Sequence, residues 1–200
     1  SKQKISNKIF KREALGLPKN SIVFCCFNQN YKITPNIFDI WMRILQKIED
    51  SVLWLIEDSN EGANNLKKEA KKRGVNPDKI VFAKKIIIEE HLARHKVADL
   101  FIDTFPYTAH TTCSDSLWSG LPVVTRMGQS FASRVGGSLL NAVGLNELIT
   151  TTEKDYENLI IKLAEDPKKL KIIKNKLIKN KLTNPLFNTG LYTKKIEASY

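Results

Sequence analysis

The chain has 200 residues, 42% of them hydrophobic and 26% charged, which excludes a disordered segment and allows a core without disulfide staples. A balance of 32 Lys+Arg against 21 Asp+Glu gives a formal net charge of +11, which admits nucleic acid, an acidic surface or a phosphate-bearing ligand, and equally a lysine-rich solvated face. No apolar run reaches the ~20 residues of a membrane span, no secretory segment stands near the start, and Cys25, Cys26 and Cys113 lack metal-ligand spacing, so the expectation is a reduced, cytoplasmic chain with no metal and no membrane span.

The chain opens at Ser1 without an initiator Met, as a processed product or a piece of something longer would. Residues 1–14 read as a linker or loose helix, and Gly16-Leu17-Pro18 breaks the chain. The run SIVFCCF (21–27) reads as a buried strand rich in β-branched and aromatic residues. Thr34-Pro35 then opens a helix to about residue 49 as N-cap and N1. SVLWLI (51–56) is a second strand, 63–73 a helix closed by Gly74, and KIVFA (79–83) a third strand. The pattern continues with a short helix over 89–97, strand 99–103, helix 111–119 ended by Gly120, strand 122–125, helix 130–143 and a brief strand at 147–149. From there the sequence predicts only helix: 152–165, 167–181 with Asp166 as cap, and a last one within 188–200. Strands alternating with helices every 25 residues or so imply right-handed crossovers and a parallel sheet. The strand runs are apolar on both faces, as a doubly covered sheet requires. The fold class is therefore α/β and Rossmann-like, and ligands should bind beyond the carboxyl ends of the strands, at the switch point of strand order.

The loops at those ends carry the informative residues. After the first strand comes Asn28-Gln29-Asn30-Tyr31-Lys32, without the GxGxxG of a dinucleotide site. Lys32 there could set a point charge on a phosphate, or be one more surface lysine. After the fourth strand, His110-Thr111-Thr112 ends where a helix should begin. Two hydroxyls and free backbone N–H groups at a positive helix end make an anion site, against the simpler reading of Thr111 as a cap. Asp115, one turn on, suits a ribose or sugar hydroxyl better than a phosphate. His91 and Arg94 share a helix face; Arg94 could stack on a base, and alone the two read as a surface pair. Gly136-Gly137 inside a helix implies close packing. No paired carboxylates of a glycosidase, no Ser-His-Asp or Cys-His arrangement and no zinc spacing is legible.

Seven collinear stretches then carry a resemblance: FNQNYKI (27–33), SVLWLI (51–56), EEH (89–91) with Arg94, ADLFIDT (98–104), HTTCSDSLWSGLPVVT (110–125), FASRVGGSLL (131–140) and NPLFNTGLYT (184–193). From about Leu15 onward the chain resembles the C-terminal catalytic half of the O-linked N-acetylglucosamine transferase/SPINDLY family of glycosyltransferases. The resemblance implies a GT-B fold, of which this chain is the half that holds the nucleotide of a UDP-sugar or GDP-sugar donor. It implies Gln29, Lys32, His110, Thr111 and Thr112 on the donor phosphates, with Lys32 stabilising the leaving group. It places the backbone near Ile86, with His91 and Arg94, on the nucleobase, and Asp115 on the ribose. Ile88 stands where the family carries a Lys. The activity implied is inverting transfer of a sugar, N-acetylglucosamine in the first instance, to protein Ser or Thr without a cofactor. The acceptor-side half and tetratricopeptide repeats would lie outside these residues, so the chain alone is expected to bind nucleotide and turn over nothing. Residues 15–183 would form the nucleotide-sugar domain. The final helix in 184–200, with Leu191, Tyr192, Ile196 and Tyr200 as an apolar stripe, would dock on the absent half. Two other readings compete: a module binding nucleotide or an anionic polymer, against which the scarcity of exposed aromatics among the lysines argues, and a nucleotide-sugar epimerase, which leaves the HTT and PLFNT stretches unexplained.

Overall fold

A computed structural model describes residues 3–199. Apolar runs become six parallel strands: β1 (Ile22–Cys26), β2 (Ser51–Ile56), β3 (Ile80–Ala83), β4 (Leu100–Ile102), β5 (Val123–Arg126) and β6 (Ile149–Thr150). Their order is β3-β2-β1-β4-β5-β6, and every pairing is parallel. The order reverses between β1 and β4, where Phe24 stands opposite Leu100 and Cys25 opposite Phe101. This is the Rossmann-like arrangement expected, with its crevice at the tips of those two strands. Cys25 and Cys26 point to opposite faces and both are fully buried, because helices cover both sides.

The helices are α1 (Pro35–Lys47), α2 (Asn60–Lys72), α3 (Ile88–Arg94), α4 (Thr111–Ser119), α5 (Phe131–Val143), α6 (Glu153–Glu165), α7 (Pro167–Thr183) and α8 (Thr189–Glu197). Caps set most of their starts. Thr34 Oγ accepts from the Ile37 N–H, Ser130 from Ser133, Asp166 from Lys169 and Asn188 from Leu191. Helix α2 starts earlier than its apolar pattern suggests because Ser59 caps it through the Gly62 N–H at 3.0 Å. Helix α7 stops at Thr183, since Pro185 forces Asn184 into extended backbone at ψ 161°. The core joins both faces of the sheet, with Trp41, Trp54, Phe24, Phe101 and Tyr156 among its largest fully buried members.

Residues 3–11 form no helix or strand, and tertiary partners tie them down, with Ser6 N–H donating to the Glu89 carbonyl, Trp118 Nε1 to the Gln3 carbonyl and Lys8 paired with Glu90. Most of the α7 lysines face solvent, and three of them also tie the helix to its neighbours. Lys174 donates to the Ala98 carbonyl and lies 3.4 Å from Asp99, Lys176 pairs with Glu147 and Lys181 donates to the Trp118 carbonyl. Among the described residues no helix is long and apolar enough to cross a membrane.

Candidate functional site

At the tips of β1, β4 and β5 stand three buried polar residues, Asn28, Asp103 and Thr125. Asp103 is their hub. Its Oδ1 accepts from Thr104 N–H at 2.8 Å, Ala109 N–H at 2.7 Å and Asn28 Nδ2 at 3.1 Å, and its Oδ2 accepts from the Thr125 hydroxyl at 2.7 Å. Tyr156 of α6 donates to the Asp103 carbonyl at 2.7 Å and receives the Trp41 indole N–H. Burial pushes the Asp103 carboxyl up to about 6, with these hydrogen bonds acting the other way. The residues from 104 to 110 are thus folded around one side chain. Gly136 of α5 packs so closely that a Cβ there would sit 2.8 Å from Thr125 Oγ1 and 2.9 Å from Asp103 Oδ2. That approach is the reason a glycine occupies the middle of this helix.

The folded loop delivers the start of α4. His110 is the N-cap residue and its side chain makes no cap hydrogen bond. Thr111 is therefore the first helical residue rather than the cap, and it is exposed. The Thr112 hydroxyl donates to Asn28 Oδ1, so of the two hydroxyls expected to face an anion only that of Thr111 is on offer, and Thr112 contributes its backbone N–H. His110 Nε2 lies 3.3 Å from the Ala132 carbonyl, which as a pure acceptor requires the proton on that nitrogen.

Lys32 reaches the same place from the β1 loop. Its Nζ donates to the Thr108 carbonyl at 3.1 Å and lies 3.7 Å from the centre of the Tyr107 ring. Burial lowers its pKa while Asp103 raises it. Gln29 is exposed beside it. Tyr107 touches His110, and His110 touches Phe131, at centroid distances of 5.0 and 6.0 Å. Asp115, pushed up by burial, opens with Thr111 into a pocket of about 270 Å³ closed by Gln3, Trp118, Phe187 and Thr189. A separate cleft of about 420 Å³ lies between the start of α1 and the Phe105-Pro106 turn, with Arg126 and Glu153 on its wall.

The third expected group sits apart. Ile86 and its neighbours Ile87 and Ile88 are exposed. His91 is half-buried, but Arg94 is only 2% exposed, not the surface residue its spacing suggested. Its guanidinium lies against Phe27 and Trp54 and donates to the Lys84 carbonyl. In this structure it supports the loop before α3. The expected list omits Asn28, Asp103, Tyr107, Thr108, Thr125 and Tyr156. The signal for three of them was present: polar residues ending three adjacent apolar strands. Among the described residues no three His, Cys, Asp or Glu side chains converge on a cation position.

Residues 2–196 match the model of glycosyl transferase family 41. The chain belongs to this family. It is 38% identical over 191 residues to a probable UDP-N-acetylglucosamine–peptide N-acetylglucosaminyltransferase, SEC, of Arabidopsis thaliana, covering 95% of this chain and 20% of the relative. It is 36% identical over 197 residues to the Caenorhabditis elegans UDP-N-acetylglucosamine–peptide N-acetylglucosaminyltransferase, covering 98% and 17%. This family 41 chain therefore spans about a fifth of the length of those relatives. Its structure superposes on a variant of the Thermobaculum terrenum O-GlcNAc transferase with a TM-score of 0.86 at 30% identity, over 90% of this chain and 35% of that one. Anabaena HepE, solved with UDP and glucose, shares the fold at a TM-score of 0.65 and 17% identity, over 94% and 51%. The GT-B Rossmann-like half expected from the sequence is thus the one observed.

Proposed function

We propose that the chain is the donor-binding half of an inverting glycosyltransferase that moves N-acetylglucosamine from its UDP conjugate to a protein Ser or Thr hydroxyl. The observation that carries this is the uncapped start of α4, which stands in the loop whose Thr108 carbonyl holds Lys32. An N-terminal turn with no side-chain cap leaves backbone donors for an anion, and an ammonium beside them supplies the countercharge. Departure of the diphosphate is the demanding step of such a transfer, and fixed donors aimed at the developing charge lower its barrier. Lys32, His110, Thr111 and the Thr112 amide fill that role, Gln29 flanks them, and Asp115 takes a ribose hydroxyl in its pocket. His91, Arg94 and the backbone near Ile86 take the base. No general base is identifiable in these residues; the acceptor side and the tetratricopeptide repeats belong to a further part of the protein, so this chain binds donor without turnover. Residues 15–183 act as the nucleotide unit. Helix α8 docks on that further part through Leu191, Tyr192 and Ile196, the last two exposed here at 66% and 42%; the call on Tyr200 lies outside the described residues. Three free, buried cysteines suit a reducing cytoplasm.

Calorimetry tests the phosphate assignment. UDP should bind well above uridine, and Lys32→Ala should weaken UDP by about 1–3 kcal/mol, the range of a charge-assisted contact. Equal affinity for nucleoside and diphosphate would remove the phosphate assignment. Binding of UDP that GDP matches would leave the site and remove the choice of uracil.

A further inference from the structure

We propose that Tyr107 is a positioning residue for the transfer: the face of its ring holds the Lys32 ammonium on the donor diphosphate without neutralising it. The proposal rests on the phosphate reading above and adds to it how a flexible cation is aimed.

Lysine carries its charge at the end of a flexible four-carbon stem, and ordering that stem costs rotamer entropy. A lysine that must meet a departing diphosphate therefore needs something to hold it in place. A carboxylate would hold it and cancel the field it is there to supply. Among the described residues no carboxylate pairs with Lys32. Asp103 lies close enough to favour its charge, but the oxygens of Asp103 are occupied by the Thr104, Ala109, Asn28 and Thr125 donors. Instead Lys32 Nζ stands 3.7 Å from the centre of the Tyr107 ring and donates to the carbonyl of the next residue, Thr108, at 3.1 Å. A ring face and a carbonyl attract an ammonium and leave its full positive charge in place. One of its three N–H donors goes to Thr108 and the ring faces the ammonium from a second side, which leaves a donor for a phosphate oxygen.

The ring is itself fixed. The Tyr107 carbonyl accepts from the Thr104 hydroxyl at 2.7 Å. Thr108 is tied to the Ala132 carbonyl through its N–H at 3.0 Å and its hydroxyl at 2.7 Å. The backbone at Tyr107 is thus held on both sides by the loop that Asp103 organises. The ring meets the His110 imidazole at 5.0 Å and the Tyr31 ring at 6.2 Å. Tyr107 therefore stands between Lys32, which arrives from the β1 loop, and His110 at the start of α4, and it spaces two of the groups assigned to the diphosphate. At 38% exposure it contributes little to the core. Among the described residues its hydroxyl makes no hydrogen bond, so its contribution is the ring.

Proton NMR on the unliganded parent chain tests the contact first. The Lys32 methylene next to Nζ, assigned by its loss in Lys32→Met, should be shifted upfield by the Tyr107 ring current. Tyr107→Phe should keep that shift, and Tyr107→Leu should return it to the position of a solvated lysine. Calorimetry should show UDP bound about fivefold more weakly by Tyr107→Leu, the scale of one partly exposed cation–ring contact, and within about twofold of the parent by Tyr107→Phe. In the Lys32→Met chain, which has no ammonium to hold, Tyr107→Leu should change UDP affinity little. A merely structural tyrosine would weaken UDP by the same factor with or without Lys32, which would overturn the proposal. So would a Lys32 methylene at the solvated position in the parent chain, or a Tyr107→Phe chain that loses as much affinity as Tyr107→Leu. If Tyr107→Leu does not fold, the parent shift and the Tyr107→Phe affinity decide between the same outcomes. A ring-shifted Lys32 in a chain with equal affinity for UDP and uridine would instead locate the failure in the phosphate reading, and would take the proposal with it.

Discussion

Asp103 shows how much of this site depends on a residue that no ligand need touch. Four donors converge on one buried carboxyl, so its removal leaves the Thr104 and Ala109 amides and one N–H of the Asn28 side-chain amide, whose other N–H keeps Thr104 Oγ1, unsatisfied in the interior. Each buried donor left unpaired costs about 1–3 kcal/mol. Asp103→Ala should therefore destabilise the chain by about 3 kcal/mol or more. It should also abolish UDP binding, because the residues it holds deliver His110 and Thr111. Asp103→Asn is a sharper test of the same geometry. Its oxygen can keep the three N–H donors while its amide donates to Thr125 Oγ1, which is free to turn. Near-parental chemical denaturation and UDP affinity for Asp103→Asn, beside collapse of Asp103→Ala, is the expected pair of results; equal damage would mean that the negative charge, not the acceptor geometry, shapes the loop.

Among the elements, α5 is constrained by what it lies against. In a free helix Ala is preferred over Gly by about 1 kcal/mol. At Gly136 that gain is outweighed, because the added methyl would meet Thr125 Oγ1 at 2.8 Å and Asp103 Oδ2 at 2.9 Å, both fixed by the hydrogen bond between them. Gly190 in α8 is the contrasting case, with its nearest neighbour, Asn188 Oδ1, at 3.7 Å. Gly136→Ala should lower the melting temperature and weaken UDP, while Gly190→Ala should raise stability by up to about 1 kcal/mol and leave UDP binding alone. The element pattern itself was legible in the sequence, because each strand is an apolar run and most helices carry their own cap. Thr34-Pro35, Asp166-Pro167 and the break at Asn184-Pro185 fall where local chemistry puts them. The tertiary anchoring of residues 3–11 was not legible, since their partners Glu89 and Trp118 are remote in sequence. Neither was the burial of Arg94: i, i+3 spacing places it beside His91 but says nothing of Phe27 and Trp54 closing over it.

For the whole molecule, three buried titratable groups set the response to acid, and their signs oppose. His91 and His95 are depressed by burial to about 3 and about 4 from an ordinary 6.5. The stability they contribute is present above pH 6.5 and is lost as pH falls through that range. Asp103 is raised by burial to about 6 from 3.8, so its contribution favours the fold at low pH and is lost as pH rises toward 6. At pH 5 the unfolded chain binds two protons at the histidines and the folded chain binds one at Asp103. The difference of one proton makes stability fall by about 1 kcal/mol for each unit of acidification near that pH. Urea unfolding at half-unit steps between pH 6.5 and 4.5 measures this slope. Replacing Asp103 by Asn removes the one proton held by the folded state and leaves the two of the unfolded state, so the slope should roughly double to about 2–3 kcal/mol per unit. His95→Leu should flatten it, at some cost in stability at neutral pH from the lost bond to the His91 carbonyl. An unchanged slope in Asp103→Asn would show that Asp103 is already ionised in the folded chain at pH 5, and the protonated hub would have to be replaced by a carboxylate held by its four donors.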